Sequence, residues 1–295
     1  MRASKLFHDL AGPILYRRIT FDAKQISSPL TVLSKAPQSR QLQRDRTKKE
    51  DLLKNVTHLT IVSLGPRGWY HVPRFDFPGI QCLVLGRETV RETYANCKQI
   101  ALVYDHLPSP PKLVIKSLLR LSNGAVMDRL MKDTKRLSLV ILPESTVALS
   151  LPDILYLLDI VAYLAPTLIS LTIIFWTRSA YVQWRPLPIA PPAYGGGVFR
   201  GSWVGRFLTQ IAAEIKHRRF EITFVNMGML DRNSAGEDRW DERVIQSKVE
   251  KYFREALGKD SKRNETVRFM GMKEYLKEGD WEDEFEREEI KEWLQ

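Results

Sequence analysis

The chain has 295 residues, of which 44% are hydrophobic and 27% charged, an ordinary globular composition that excludes wholesale disorder. Its two cysteines, Cys82 and Cys97, are too few for a disulfide framework and favour a reducing compartment. The net charge is uneven, with +7 over residues 1–54, +8 over residues 55–229 and −5 over residues 230–295. The basic residues are not interleaved with aromatic residues, so we favour solvated surface charge over a nucleic-acid-binding surface.

The first predicted element covers residues 1–22, an amphipathic helix that stops at Gly12-Pro13 and resumes over residues 14–21. Residues 23–50 are rich in Ser, Pro, Gln, Lys and Arg, which predicts a polar, basic linker. A folded region begins near Asp51 and continues to residue 295. The first residues hold no apolar run of signal-peptide length, so we expect a cytoplasmic or nuclear protein.

Short strand-like runs recur after residue 51, and several share the spacing L-x-x-L-x-x-L-x-L. Two clear copies are Leu53, Val56, Leu59, Ile61 and Phe77, Ile80, Leu83, Leu85. The predicted strands are Val56–Ser63, Ile80–Leu85, Gln99–Tyr104, Arg136–Leu142, Leu168–Trp176, Phe220–Val225 and Val267–Met270. In a leucine-rich repeat, alternate strand residues point into the core and leucines three apart turn the corner, so neighbouring repeats must stack.

Helical patterns fill the gaps between the predicted strands. They cover residues 111–121, 125–132, 152–164, 203–216, 242–257 and 281–294. The alternation predicts an α/β fold, an irregular leucine-rich-repeat-like array of strands and helices. Because the strand spacing is irregular, a compact three-layer α/β fold is the alternative.

An apolar stretch over residues 160–176 has the minimum length of a membrane span. Asp153 and Asp159 precede it and Pro166 interrupts it, so we predict a helix ending near Ala165, a turn, and a buried strand. No membrane partner is expected.

Residues 177–202 form a predicted long loop, because four prolines and a Gly-Gly-Gly run bar regular structure. The loop is rich in residue types that dominate protein interfaces, and it is a candidate partner-binding element, although its aromatic residues could equally cover a core edge. These residues are Tyr181, Trp184, Arg185, Tyr194 and Phe199.

The N-terminal string from Lys5 to Asp22 resembles the last helix and exit strand of fungal F-box proteins, in particular the basidiomycete type. The family pattern Phe-x-x-Leu-Ala-x-Pro-x-Leu-Tyr-Arg-x-Ile is matched by Phe7, Leu10, Ala11, Pro13, Leu15, Tyr16, Arg17 and Ile19. Residues 267–275 and 281–285 are similar to the C-terminal strand and helix of such F-box, leucine-rich proteins.

This resemblance implies recruitment of substrates to a ubiquitin ligase through a Skp1-type adaptor. On that basis the expected adaptor-binding residues are Phe7, Leu10, Pro13, Leu15 and Tyr16. The earlier part of an F-box, with its Leu-Pro start, is missing before Phe7. We therefore expect either a truncated F-box that has lost adaptor binding or a gene model that starts late.

Motifs for catalysis and for cofactors are absent from the sequence: there is no phosphate-binding loop, no dinucleotide fingerprint, no nucleophile elbow and no zinc spacing. We expect no cofactor, no metal and no small-molecule ligand. The best catalytic candidate is Asp105-His106, directly after a predicted strand, although both residues are more typical of a turn. The acidic run from Glu282 to Glu289 is interpreted as the solvated face of a terminal helix, anchored by Trp281, Phe285 and Trp293.

The sequence therefore predicts a non-enzymatic protein–protein interaction module. Two alternatives stay open: an α/β enzyme that uses Asp105 and His106, and a basic nucleic-acid-binding protein.

Overall fold

The computed structural model describes residues 11–12, 14–22, 51–63, 77–86, 109–116, 129–141, 166–177, 203–216, 218–230, 241–258, 262–278 and 280–295. The chain divides into two compact units, Met1–Ile115 with Arg120–Thr134, and Lys116–Leu119 with Lys135–Gln295. Both combine parallel strands with helical segments, which confirms the α/β class that the sequence predicts.

In the first unit, parallel strands pair in the order in which they occur along the chain. They are β1 (Arg18–Asp22), β2 (His58–Ser63), β3 (Cys82–Leu85) and β4 (Lys112–Lys116), whose last residue, Lys116, belongs to the second unit. The pairing register aligns apolar residues into two rows across the strands. These rows are Ile19, Leu59, Leu83, Leu113 and Phe21, Ile61, Leu85, Ile115, and all eight side chains are buried. Period-two alternation thus builds one continuous core face.

The corners before several of the strands repeat the same hydrogen bonds. The N–H of Val56 donates to the carbonyl of Leu53 and that of Ile80 to Phe77, so leucine-type residues three apart close a tight turn. The next two N–H groups then reach the carbonyl that precedes the neighbouring strand. These pairs are Thr57 and His58 to Arg17, Gln81 and Cys82 to Thr57, and Ile169 and Ser170 to Lys135. The recurring apolar spacing in the sequence therefore corresponds to a recurring backbone corner.

The second unit contains four parallel strands, again paired in chain order. They are β5 (Arg136–Ile141), β6 (Ser170–Phe175), β7 (Glu221–Val225) and β8 (Val267–Met270). The two long helices are α1 (Trp203–Ile215) before β7 and α2 (Glu242–Leu257) after it. Phe207 of α1 meets Phe175 edge-on at 6.1 Å, and Phe253 of α2 meets Phe224 at 5.0 Å. Both helices therefore cover the same face of these strands.

The core between α2 and the strands is aromatic. The rings of Phe224, Phe253 and Phe269 contact one another with centroid separations of 4.9 to 5.7 Å. The boundaries of α2 follow from its caps: the Asp241 carboxylate accepts from the N–H groups of Arg243 and Val244, and Gly258 ends the helix at a φ of 104°. No helix in the described ranges is both long and apolar enough to cross a lipid bilayer.

Three sequence predictions of helix are wrong. Residues 112–116, predicted as helix, form β4, because the N–H of Lys112 pairs with Gln81 and the strand continues the ladder from β3. Residues 18–21 belong to β1, paired with β2, so the predicted resumed helix ends before Arg18. The predicted terminal helix over 281–294 is a short 3₁₀ turn (Asp280–Asp283), an irregular stretch and α4 (Lys291–Leu294).

A further short helix, α3 (Met272–Lys277), follows β8 directly. The strands predicted over residues 168–176, 220–225 and 267–270 are confirmed as β6, β7 and β8. The expected Gln99–Tyr104 strand and the 152–164 helix lie outside the described residues.

Candidate functional site

The two faces of β5–β7 differ in chemistry. The face toward α1 and α2 carries only apolar residues, among them Leu139, Ile173 and Phe224 in one row. Alternation places Ser138 on the opposite face, and the register aligns it with Thr172 of β6 and Thr223 of β7. We call the face that carries these three hydroxyl-bearing positions the polar face; its next row, Val140, Ile174 and Val225, is apolar and buried.

The last sixteen residues of the chain, 280–295, pack on the polar face at Ser138, and we call them the C-terminal segment. Its Glu284 is only 2% exposed, and the Ser138 hydroxyl donates a 2.6 Å hydrogen bond to Glu284 Oε1. The hydroxyl of Tyr275 in α3 donates to the other oxygen, Oε2. Two hydroxyls thus replace water around a buried carboxylate, an arrangement that burial of such a group requires.

Local sequence explains why Glu284 is placed there. The N–H groups of Glu284 and Phe285 both donate to the carbonyl of Trp281, which makes one tight turn. The Trp281 indole in turn donates to the carbonyl of Leu276 in α3 at 2.8 Å. This turn aims Glu284 at the polar face and leaves the neighbouring Glu286 exposed.

Aromatic side chains anchor the rest of the C-terminal segment. Phe285 stacks on Trp176, which follows β6, with ring centroids 4.7 Å apart and an interplanar angle of 28°. The indole N–H of Trp293 donates to the carbonyl of Thr177 at 3.3 Å. Both residues are buried, so the segment contributes apolar area as well as polar contacts.

Lys116 adds a cationic contact at the same place. Its Nζ lies 2.7 Å from Glu289 Oε2 and 5.4 Å from the centroid of the Phe285 ring. The C-terminal segment has eight acidic and two basic residues, whereas residues 1–279 have 43 basic and 27 acidic residues. The segment and the remainder of the chain are therefore opposite in net charge.

Asn226 joins the carboxyl ends of three strands. Its backbone has a left-handed φ of 67°. The side-chain Nδ2 donates to the carbonyl of Phe175 at 2.7 Å, and the backbone N–H donates to the carbonyl of Met270 at 2.9 Å. Its buried Oδ1 has no hydrogen-bond partner among the described residues. Sequence reasoning missed this residue, although an Asn directly after a buried strand is a recognisable signal for a left-handed position.

The residues expected to bind an adaptor are only partly described. Leu15 is 67% exposed and Tyr16 is half-buried, in the turn before β1. Ile14, which the sequence pattern did not single out, is 75% exposed beside them. Phe7, Leu10 and Pro13 lie outside the described residues.

The other expected site residues are not described either. Tyr181, Trp184, Arg185, Tyr194 and Phe199 of the predicted binding loop, together with Asp105 and His106, lie outside the described ranges. Within those ranges no group of His, Cys, Asp and Glu side chains is arranged to hold a metal ion.

The interpretation of the acidic run as a solvated face is wrong at Glu284. That carboxylate is buried because Ser138 and Tyr275 provide hydrogen-bond donors inside the protein. The predicted anchors Trp281, Phe285 and Trp293 are confirmed as buried.

Comparison with known proteins gives no relative. No protein-family model, no curated protein and no solved structure matches the chain.

Proposed function

We propose that this chain is a non-enzymatic protein–protein interaction module built as an irregular leucine-rich-repeat-like array. The observation that carries the proposal is the repeated corner, in which two successive N–H groups bond to the carbonyl before the neighbouring strand. Rows of buried apolar residues follow from that corner in both units. Such recurrence is typical of stacked repeats, each of which completes the core of the next.

Strand order and helix placement favour the array over a doubly wound sheet. In a doubly wound fold the strand order reverses and helices cover both faces of the sheet. Here the described pairs within each unit follow chain order, and α1 and α2 pack on one face of β6 and β7. A stacked array presents a long strand face, and proteins of this architecture use such faces to bind other proteins.

The N-terminal residues supply a second contact surface in this proposal. By its resemblance to fungal F-box proteins, the turn before β1 would dock on a Skp1-type adaptor, and the array would hold the protein to be ubiquitinated. Ile14 and Leu15 support this role because they are adjacent, large and apolar, and their side chains are 75% and 67% exposed. Exposed neighbouring apolar residues are candidate anchors for a partner.

The adaptor contact is tested by binding of the full chain to a purified Skp1-type adaptor. We expect the wild-type chain to be retained by immobilised adaptor, and the double variant Ile14→Asp/Leu15→Asp to lose at least tenfold in affinity. The matched control is Ile169→Asp, since Ile169 is also an exposed apolar residue, 56% accessible, but lies in the second unit. The control should bind like wild type.

Failure of the folded wild-type chain to bind the adaptor would remove the ligase role. Equal losses for the double variant and for Ile169→Asp would show that added charge, not the N-terminal contact, weakens binding.

A further inference from the structure

The C-terminal segment is held mainly by side chains. Its regular elements are the 3₁₀ turn Asp280–Asp283 and the helix α4, each of four residues. Elements of this length do not persist in water by themselves. The position of the segment therefore depends on four anchors: Glu284 on Ser138, Phe285 on Trp176, Glu289 on Lys116 and Trp293 on the Thr177 carbonyl.

The face on which the segment packs combines a hydroxyl row with an apolar row, Val140, Ile174 and Val225, which is fully buried. A face that served only as core would be most stable if it were apolar, because each buried hydroxyl or carboxylate needs a matched partner. Instead Ser138, Thr172 and Thr223 are aligned across three strands. The Ser138 hydroxyl donates a hydrogen bond to the Glu284 carboxylate of the segment. The opposite face of the same strands is apolar and is covered by α1 and α2.

We propose that the polar face of the second unit is a peptide-binding surface, and that the C-terminal segment occupies it as an internal competitor. The external ligand is an acidic protein segment that carries a Glu-aromatic pair, the counterpart of Glu284 and Phe285. The carboxylate of that pair accepts from Ser138, its ring stacks on Trp176, and a further acidic residue meets Lys116. This inference rests on the proposed interaction function and names the chemistry of the bound partner.

Internal competition sets the expected binding behaviour. A tethered segment has an effective concentration on the order of 1 mM, so an external peptide must compete against it. The apparent affinity of the peptide equals its affinity for the open face multiplied by the fraction of molecules in which the face is open. Weakening the internal anchors while leaving the face intact should therefore strengthen external binding.

The experiment uses full-length chains and a fluorescein-labelled synthetic peptide with the sequence of residues 280–295. The anchor variant is Glu284→Ala/Phe285→Ala, which leaves Ser138, Trp176 and Lys116 unchanged. The matched control is the single variant Glu288→Ala, which removes the same charge from an exposed position of the segment. Near-ultraviolet circular dichroism verifies that each chain is folded.

We expect the anchor variant to bind the peptide at least tenfold more tightly than the wild-type chain and the Glu288→Ala control. A peptide in which the Glu-Phe pair is replaced by Ala-Ala should show at least tenfold weaker binding to the anchor variant. A folded anchor variant that does not bind the native peptide, or that binds both peptides equally, overturns the proposal. Tighter binding of a 16-nucleotide single strand that displaces the peptide also overturns it, in favour of a nucleic-acid surface.

A second measurement applies if the anchor variant does not fold. Hydrogen exchange of residues 281–294 is followed in the wild-type chain while isotopically heavy peptide is added in excess. We expect faster exchange of the chain's own segment as the peptide displaces it, and unchanged exchange overturns the proposal. Adaptor binding through Ile14 and Leu15 is measured on the same samples, so failure of the peptide surface is distinguished from failure of the proposed adaptor function.

Discussion

The hydroxyl of Ser138 on β5 donates a 2.6 Å hydrogen bond to the buried carboxylate of Glu284, 146 residues further along the chain. This bond joins the start of the second unit to its end. The Tyr275 hydroxyl donates to the same carboxylate from α3. Glu284 therefore holds three separate parts of the second unit together.

Replacing Glu284 should lower stability much more than replacing an exposed neighbour of equal charge. Glu284→Ala leaves two buried hydroxyls without this acceptor, and hydrogen bonds to a charged group contribute about 1.5 to 3 kcal/mol each. We expect a loss of about 3 kcal/mol in the free energy of unfolding, measured by urea denaturation, against less than about 0.5 kcal/mol for Glu288→Ala. Similar losses in the two variants would contradict the buried role of Glu284.

The aromatic cluster between α2 and the strands should be sensitive to truncation. Phe253 is fully buried and contacts both Phe224 and Phe269. We expect Phe253→Ala to cost about 3 to 5 kcal/mol, because removing a buried ring leaves a cavity. Val244→Ala on the exposed side of the same helix should change stability by less than about 0.5 kcal/mol. Equal losses in the free energy of unfolding for the two variants, in thermal or urea denaturation, would refute this packing.

Asn226 should be replaced more readily by glycine than by alanine. Both changes remove the 2.7 Å bond to the carbonyl of Phe175, but only alanine must also adopt the left-handed φ of 67°. That conformation costs about 1 to 2 kcal/mol for an L-residue with a Cβ. We expect Asn226→Ala to be about 1 kcal/mol less stable than Asn226→Gly. The opposite order in urea denaturation would argue against the backbone conformation.

Thr134 should contribute through its hydroxyl. It occupies a buried corner position where its Oγ1 donates to either of two carbonyls, of Leu130 at 2.7 Å and of Pro110 at 3.0 Å. Thr134→Val keeps the shape but leaves those carbonyls without this donor, so we expect a loss of about 1 to 2 kcal/mol. Thr20→Val on the exposed side of β1 is the control and should be close to neutral. A neutral Thr134→Val in urea denaturation would show that the hydroxyl is not needed.

Much of the strand pattern could be predicted from the sequence. The apolar spacing locates β2 and β3 because both the corner and the strand are apolar, as in Leu53, Val56, Leu59 and Ile61. The corner before β5 uses Met131 and Thr134 instead, closed by the same turn bond. A polar residue at a buried corner hides the repeat from any search for leucine spacing.

The wrong helix predictions have a physical cause. The run Leu113-Val114-Ile115, followed by further leucines, fits both a helical and a strand period, and only the hydrogen bonds to β3 decide between them. Likewise Trp281 and Phe285 are four apart, as on a helix face, but Phe285 is held by a ring contact with Trp176, which is distant in sequence. The polar face escaped prediction for the same reason, because its partner Glu284 is distant in sequence.

Calorimetric titration of the full chain with a Skp1-type adaptor tests whether this chain is a protein-interaction module with an adaptor contact before β1. We expect a saturable 1:1 isotherm for the wild-type chain, at least tenfold weaker binding for Ile14→Asp/Leu15→Asp, and unchanged binding for Ile169→Asp. A folded wild-type chain that shows no binding heat over a range of temperatures, and no co-elution with the adaptor, would contradict it.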